Sequence, residues 1–187
     1  MIKYAKITNQ ETGLCEVGLG TNTSFYQSIG MTQLDVQQSD IDDSWYLIDK
    51  CPMKTDEQKE LEEKKRIQEL FMTRSDFFDG TIDAWGVGED ELLFLVQRML
   101  TGLPLENRQK LKAINNFNNA LNFYRKHDLF KMLIGVPIQL TETTQVIITE
   151  ESLDKYFDEV AKGNKATAWQ YLPQPVAIPI ETPGEIL

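Results

Sequence analysis

The period of the hydrophobic positions changes several times along this chain, and each change marks an element. In residues 2–8, Tyr4, Lys6 and Thr8 alternate with Ala5 and Ile7, the period of two that a strand requires. Residues 14–19 alternate less cleanly. Gly13 between the two runs tolerates positive φ, so the pair predicts a β-hairpin. Residues 24–29 predict one helical turn ended by Gly30, and residues 32–38 predict another. Residues 45–48 (WYLI) predict a third strand. Residues 1–53 are thus expected to form a small α+β domain, marginal alone for its size. Thr55 and Gln58 then match a capping box. The helix they start, over residues 55–71, has only Leu61, Ile67, Leu70 and Phe71 as large apolar residues. A helix that is polar nearly all round bridges units or crosses a surface. Residues 54–72 are therefore expected to be a connector.

From Thr73 the period becomes helical. Phe77, Phe78, Ile82 and Trp85 recur at helical spacing, and residues 86–88 (GVG) break the run. Glu89, Asp90 and Glu91 open the next helix, where the dipole favours negative charge. Leu92, Val96, Met99 and Leu103 form its stripe, and Gly102 and Pro104 stop it. Residues 106–134 predict one long helix with Ile114, Phe117, Leu121 and Tyr124 on its apolar face, bent near His127. Residues 136–148 hold two β-branched runs around residues 141–144, a hairpin pattern. Thr149 caps a last helix bearing Leu153, Tyr156, Phe157 and Val160, ended by Gly163. Residues 73–163 are expected to be a predominantly helical domain with a β-hairpin insertion. Residues 164–187 carry four prolines among apolar residues, so an extended tail is expected, laid on a partner or on its own domain.

Charge narrows the partners. The formal net charge is −10, which argues against nucleic acid, because phosphate binding needs clustered Lys and Arg. Residues 105–135 are the exception, with six basic groups against two acidic ones. That local +4 is best explained as a solvated face pairing with the acidic elements around it. No apolar run approaches the roughly 18–20 residues of a membrane span. The first ten residues lack the apolar stretch of a signal peptide, so a protein made and kept in a cytoplasm is expected. Cys15 and Cys51 are then expected to be free thiols.

Several stretches invite a chemical reading, and each has a simpler explanation. Residues 18–22 (GLGTN) lack the lysine and the long helix of a phosphate loop, and fit a turn after a strand. Asp40, Asp42 and Asp43 lack the further ligands of a calcium loop and fit a solvated turn. His127 beside Asp128 has no neighbouring nucleophile motif, so it fits a structural residue at a helix bend. No catalytic residue, cofactor or metal is predicted. The expected contact surfaces are the small α+β domain and the proline-rich tail, through Tyr26, Trp45, Trp169, Tyr171, Leu172, Ile178 and Ile180.

Residues 3–7 (KYAKI), 15–18 (CEVG), 20–22 (GTN), 25–26 (FY), 30–32 (GMT), 35–36 (DV) and 45–46 (WY) resemble small proteins encoded in bacteriophage and prophage tail modules, near tail-fibre genes. Residues 72–78 (MTRSDFF), Gly86 with Val87, and Glu91 with Leu92 also resemble a helical element of such modules. The resemblance covers roughly the first half of the chain and carries over no functional residue. It implies a non-enzymatic tail-region protein, a structural adaptor or a tail-fibre assembly factor. Its partners would be other tail or tail-fibre proteins, or a second copy, and not nucleic acid or membrane. It would act in the host cytoplasm during assembly, with a place in the virion tail if it is an adaptor. The alternative expectation is an acidic phage-encoded inhibitor of a host nuclease or defence complex, presenting carboxylates where DNA phosphates sit.

Overall fold

The computed structural model describes residues 2–104 and 106–178. The fold is α+β, with strands leading at the N-terminus and helices dominating after residue 55. The chain divides into two compact units, Met1–Glu62 and Glu63–Leu187.

The first unit begins with the expected hairpin, β1 (Ile2–Asn9) and β2 (Leu14–Gly20). Gly13 takes a φ of +74° at the turn, and the Asn9 carboxamide oxygen accepts from the Glu11 and Thr12 amides. A short helix α1 (Thr23–Ser28) follows, then β3 (Val36–Gln38) and β4 (Trp45–Leu47), in the sheet order β1-β2-β4-β3. The helical turn expected over residues 32–38 is corrected, because this run is extended. Leu34 and Val36 alternate with Gln33, Asp35 and Gln37, and that period of two lines an interior. The sheet also curls back on itself. Thr32, just ahead of β3, exchanges both backbone hydrogen bonds with Ala5 of β1, at 2.7 and 2.9 Å. The result is a small, partly closed barrel. Ala5, Cys15 and Val36 are buried inside it, with Ile7, Val17, Leu34, Trp45 and Leu47 half-buried around them. Closure leaves less strand edge exposed than an open sheet would.

The charged helix expected next is α2 (Asp56–Gln68). It has no buried residue, and it runs across the division at Glu62. It stops short of residue 71, because β5 (Phe71–Thr73) is a strand whose Met72 is buried.

The second unit contains α3 (Arg74–Trp85) and α4 (Glu89–Gly102), where the periodicity put them. Gly86 closes α3 at a φ of +70°. The single long helix expected over residues 106–134 is corrected. It is divided into α5 (Asn107–Asn119), β6 (Asn122–Tyr124) and α6 (Asp128–Leu133). β6 pairs antiparallel with β5 and puts Phe123 opposite Met72 in the core. This inverts the expected face, since Leu121 is 81% exposed and Tyr124 is 43% exposed. The break follows from a distant residue, Arg74, whose guanidinium donates to the Phe117 and Ala120 carbonyls at the end of α5. Its backbone amide donates to the Leu121 carbonyl.

The expected hairpin is β7 (Pro137–Gln139) and β8 (Thr144–Ile147), and the last long helix is α7 (Glu150–Ala161). The uniformly extended tail expected over residues 164–187 is corrected for its described part, residues 164–178. This part forms α8 (Lys165–Ala168), a 3-10 turn (Trp169–Tyr171) and a short third strand β9 (Val176–Ala177) paired with β8. The core holds Phe77 at the centre of an aromatic group, with the rings of Phe78, Phe117, Phe123, Phe130 and Tyr156 at 4.9–6.4 Å.

Candidate functional site

In the first unit, α1 carries two adjacent aromatic residues with opposite fates. Asn22 caps the helix by accepting from the Phe25 amide at 3.1 Å. Neighbouring residues on a helix point about 100° apart, so only one of Phe25 and Tyr26 meets the sheet. That one is Tyr26. Its ring stacks on Tyr4 at 4.5 Å and 7°, and its hydroxyl donates to the Leu19 carbonyl at 2.8 Å. Gly18 and Gly20 make the close approach possible, because a β-carbon at either position would overlap the Tyr26 ring. Tyr26 is therefore half-buried and braces the barrel wall. Phe25 beside it is 54% exposed, with Leu19 at 52% and Ile29 at 46%. These three were missed from sequence, although the helical offset from a packed Tyr26 was a usable signal for Phe25.

Trp45 lines the barrel interior and is half-buried. The Lys3 ammonium lies over its ring at 4.5 Å, a cation–π contact. Inside the barrel, burial pushes the Cys15 thiol up against the opposing effect of the Leu47 backbone. Burial also raises Cys51, with Asp40 and Asp42 adding to it. Both thiols are free. Raised thiols are weak nucleophiles at neutral pH. The Asp40 carboxylate accepts from the Lys54 amide at 2.7 Å and pairs with Lys59, which together hold it below its usual range.

In the second unit the C-terminal candidates scatter. Leu172 is 2% exposed and belongs to the core, so it presents no surface to a partner. Trp169 is half-buried, and its indole donates to the Ala166 carbonyl at 3.1 Å. Tyr171 is 43% exposed. Ile178 is half-buried, and its amide donates to the Thr143 carbonyl. The Trp85 indole donates to the Pro173 carbonyl at 2.8 Å. The described part of the tail thus lies on its own unit. Ile180 lies outside the described residues.

A depression of about 780 Å³ in this unit is lined by Arg125. The Arg125 side chain is 1% exposed. Its Nε donates to Asp154 at 2.5 Å, and its terminal nitrogen lies 3.7 Å from the Glu150 carboxylate. Burial pushes the Asp154 carboxyl up, and Arg125 pulls against that shift without cancelling it. The lining holds Lys64, Arg125, Lys131 and Lys155 against Glu150, Glu151, Asp154 and Asp158. Balanced signs select neither an anion nor a cation. The bridge has a structural use, because it ties β6 to α7. No sequence signal pointed to a pair 29 residues apart.

His127 caps α6, its Nδ1 accepting from the Leu129 amide at 3.2 Å. Among the described residues, no group of three or more His, Cys, Asp or Glu could hold a metal ion, and no helix is long and apolar enough to cross a membrane. No protein-family model, curated protein or solved structure matches this chain.

Proposed function

We propose that this chain is a non-enzymatic bacteriophage tail-region protein, an adaptor or tail-fibre assembly factor acting by protein–protein contact through its first unit. One observation carries the reading. Phe25 and Ile29, one helical turn apart on α1 and its C-cap, stand roughly half-exposed while Tyr26 between them is spent on internal packing. A unit this small would gain from burying such groups, and clustered exposed apolar residues mark interaction surfaces. The resemblance of residues 3–46 to phage tail-module proteins supplies the biological setting. The partners are then tail or tail-fibre proteins, met in the host cytoplasm during assembly.

The test is co-expression with the tail-fibre protein of the same genome. Co-purification, or a higher soluble yield of the fibre protein, is the expected result. Failure of both overturns the proposal. Mass spectrometry of purified virions then separates an adaptor, which stays in the particle, from an assembly factor, which does not.

A further inference from the structure

The small barrel is not closed along its whole length. In an antiparallel ladder, alternate residues turn their N–H and C=O groups to opposite sides of the strand. Ala5 turns both groups to Thr32. Lys3, two residues earlier in β1, turns its groups the same way. In the facing run, Asp35 and Ser39 bond towards β4 and its turn, to Ile48 and Ser44. Leu34 and Val36 therefore face β1, as Thr32 does. Among the described residues, Ala5–Thr32 is the one backbone bridge across this seam. Beyond it the two strands part. The gap is a depression of about 530 Å³ with Ile2 and Lys3 on one wall and residues 33–36 on the other.

We infer that this open seam receives an extended segment of the partner protein as an added β-strand. The inference rests on the adaptor reading above and deepens it by naming the site and the form of the ligand. The chemistry selects backbone. Lys3 offers a donor and an acceptor from one wall, and Leu34 and Val36 offer theirs from the other. Only an extended peptide presents main-chain groups alternately to both sides at strand spacing. Thr32 is already bonded to Ala5, so the free wall is residues 33–36, which matches an incoming segment of about four residues at the strand rise of about 3.3 Å per residue. Side-chain alternation sets its pattern. One face of the segment would meet Leu34 and Val36 in the interior. The other would lie outside, beside Ile2 (43% exposed) and Ile48 (60% exposed). An apolar strand fits both.

Amide hydrogen exchange on the full-length chain, alone and with the tail-fibre protein as probe, tests this. In the free chain the amides of Lys3, Leu34 and Val36 should exchange fast relative to the ladder amides of Tyr4 and Gln37. With the fibre protein bound they should slow tenfold or more. Leu34→Pro deletes a donor that faces the seam and should weaken fibre binding at least tenfold, while the exchange of the β1–β2 amides reports whether the barrel still forms. Fibre binding that leaves the three seam amides unchanged overturns the strand-insertion proposal and leaves the adaptor reading standing. Seam amides already protected in the free chain, as a monomer or as a dimer of this chain, also overturn it. If the fibre protein does not bind at all, the adaptor reading falls and this inference with it.

Discussion

Gly80 lies inside α3, where glycine costs about 1 kcal/mol relative to alanine. Its neighbour across the core explains the choice. The buried Tyr156 hydroxyl donates to the carbonyls of Asp76 at 2.8 Å and Phe77 at 3.2 Å. Burial pushes that hydroxyl's pKa up, so it remains a donor at all ordinary pH. A β-carbon at residue 80 would overlap the Tyr156 hydroxyl oxygen and lie 2.6 Å from Cζ. The ring is 1% exposed and stands against Phe77 and Phe157, so it has no room to swing aside. Gly80→Ala therefore sets a helix-propensity gain of about 1 kcal/mol against about 1–3 for overpacking and about 1–3 for a buried hydroxyl driven off its acceptors. The expected balance is a loss of about 3 kcal/mol. Tyr156→Phe alone should cost about 1 kcal/mol. In the double variant the worst overlap is gone, although Cζ and Cε2 remain close at 2.6 and 3.0 Å. Its loss should fall short of the summed single losses by 1 kcal/mol or more, on the scale of coupling between residues in contact. Urea unfolding followed by the fluorescence of Trp85 and Trp169, in a Trp45→Phe background, reads the second unit by itself. A neutral or stabilising Gly80→Ala, or a strictly additive cycle, would refute the packing argument.

Arg125→Met leaves Asp154 without its counter-charge and should cost about 3 kcal/mol in urea unfolding, at the low end for a broken buried pair because Asp154 is 23% exposed. Adding Asp154→Asn should recover part of that loss, and an unchanged loss would speak against the pair. In Asp76 and Asp158 burial acts upward, but Lys165 with Thr73, and Lys162 with Arg66, outweigh it and hold both carboxyls below their usual range. Their stabilisation is present above the unfolded value near 4 and is lost as pH falls through the folded values. Asp158→Asn should therefore flatten the acid side of the stability profile, and a profile identical to wild type would contradict this. Asp154 has the opposite sign, because a raised carboxyl loses its contribution as pH climbs through the folded value. Gly18→Ala forces the Tyr26 ring off the sheet and should destabilise the first unit by about 1–3 kcal/mol, read by Trp45 fluorescence, with the second unit unaffected.

The sequence disclosed those parts of the fold that rest on local pattern. Period-two alternation marked β1, Gly13 marked the turn into β2, Thr149 marked the start of α7, and Gly86 marked the end of α3. The misread elements were settled by distant partners. Residues 32–38 became a strand because Ala5 and β4 bond to them from both sides. The helix pattern over residues 106–134 broke at Ala120 because Arg74 satisfies the exposed carbonyls there and β5 recruits residues 122–124. The same limit applies to the contact candidates. An aromatic residue is equally suited to core and surface until its neighbours are known, and Gly18 and Gly20 drew Tyr26 inward and left Phe25 outside. Leu172 followed the turn at residues 169–171 into the core.

Calorimetric titration of the tail-fibre protein into the full-length chain, wild type and Phe25→Asp, tests most directly whether the first unit is the contact surface. Phe25 is 54% exposed, so the charge should leave the thermal midpoint of the chain close to wild type. The account predicts saturable binding by wild type and at least tenfold weaker binding by Phe25→Asp. Equal affinity for the two proteins, or no heat of binding with wild type, would contradict it.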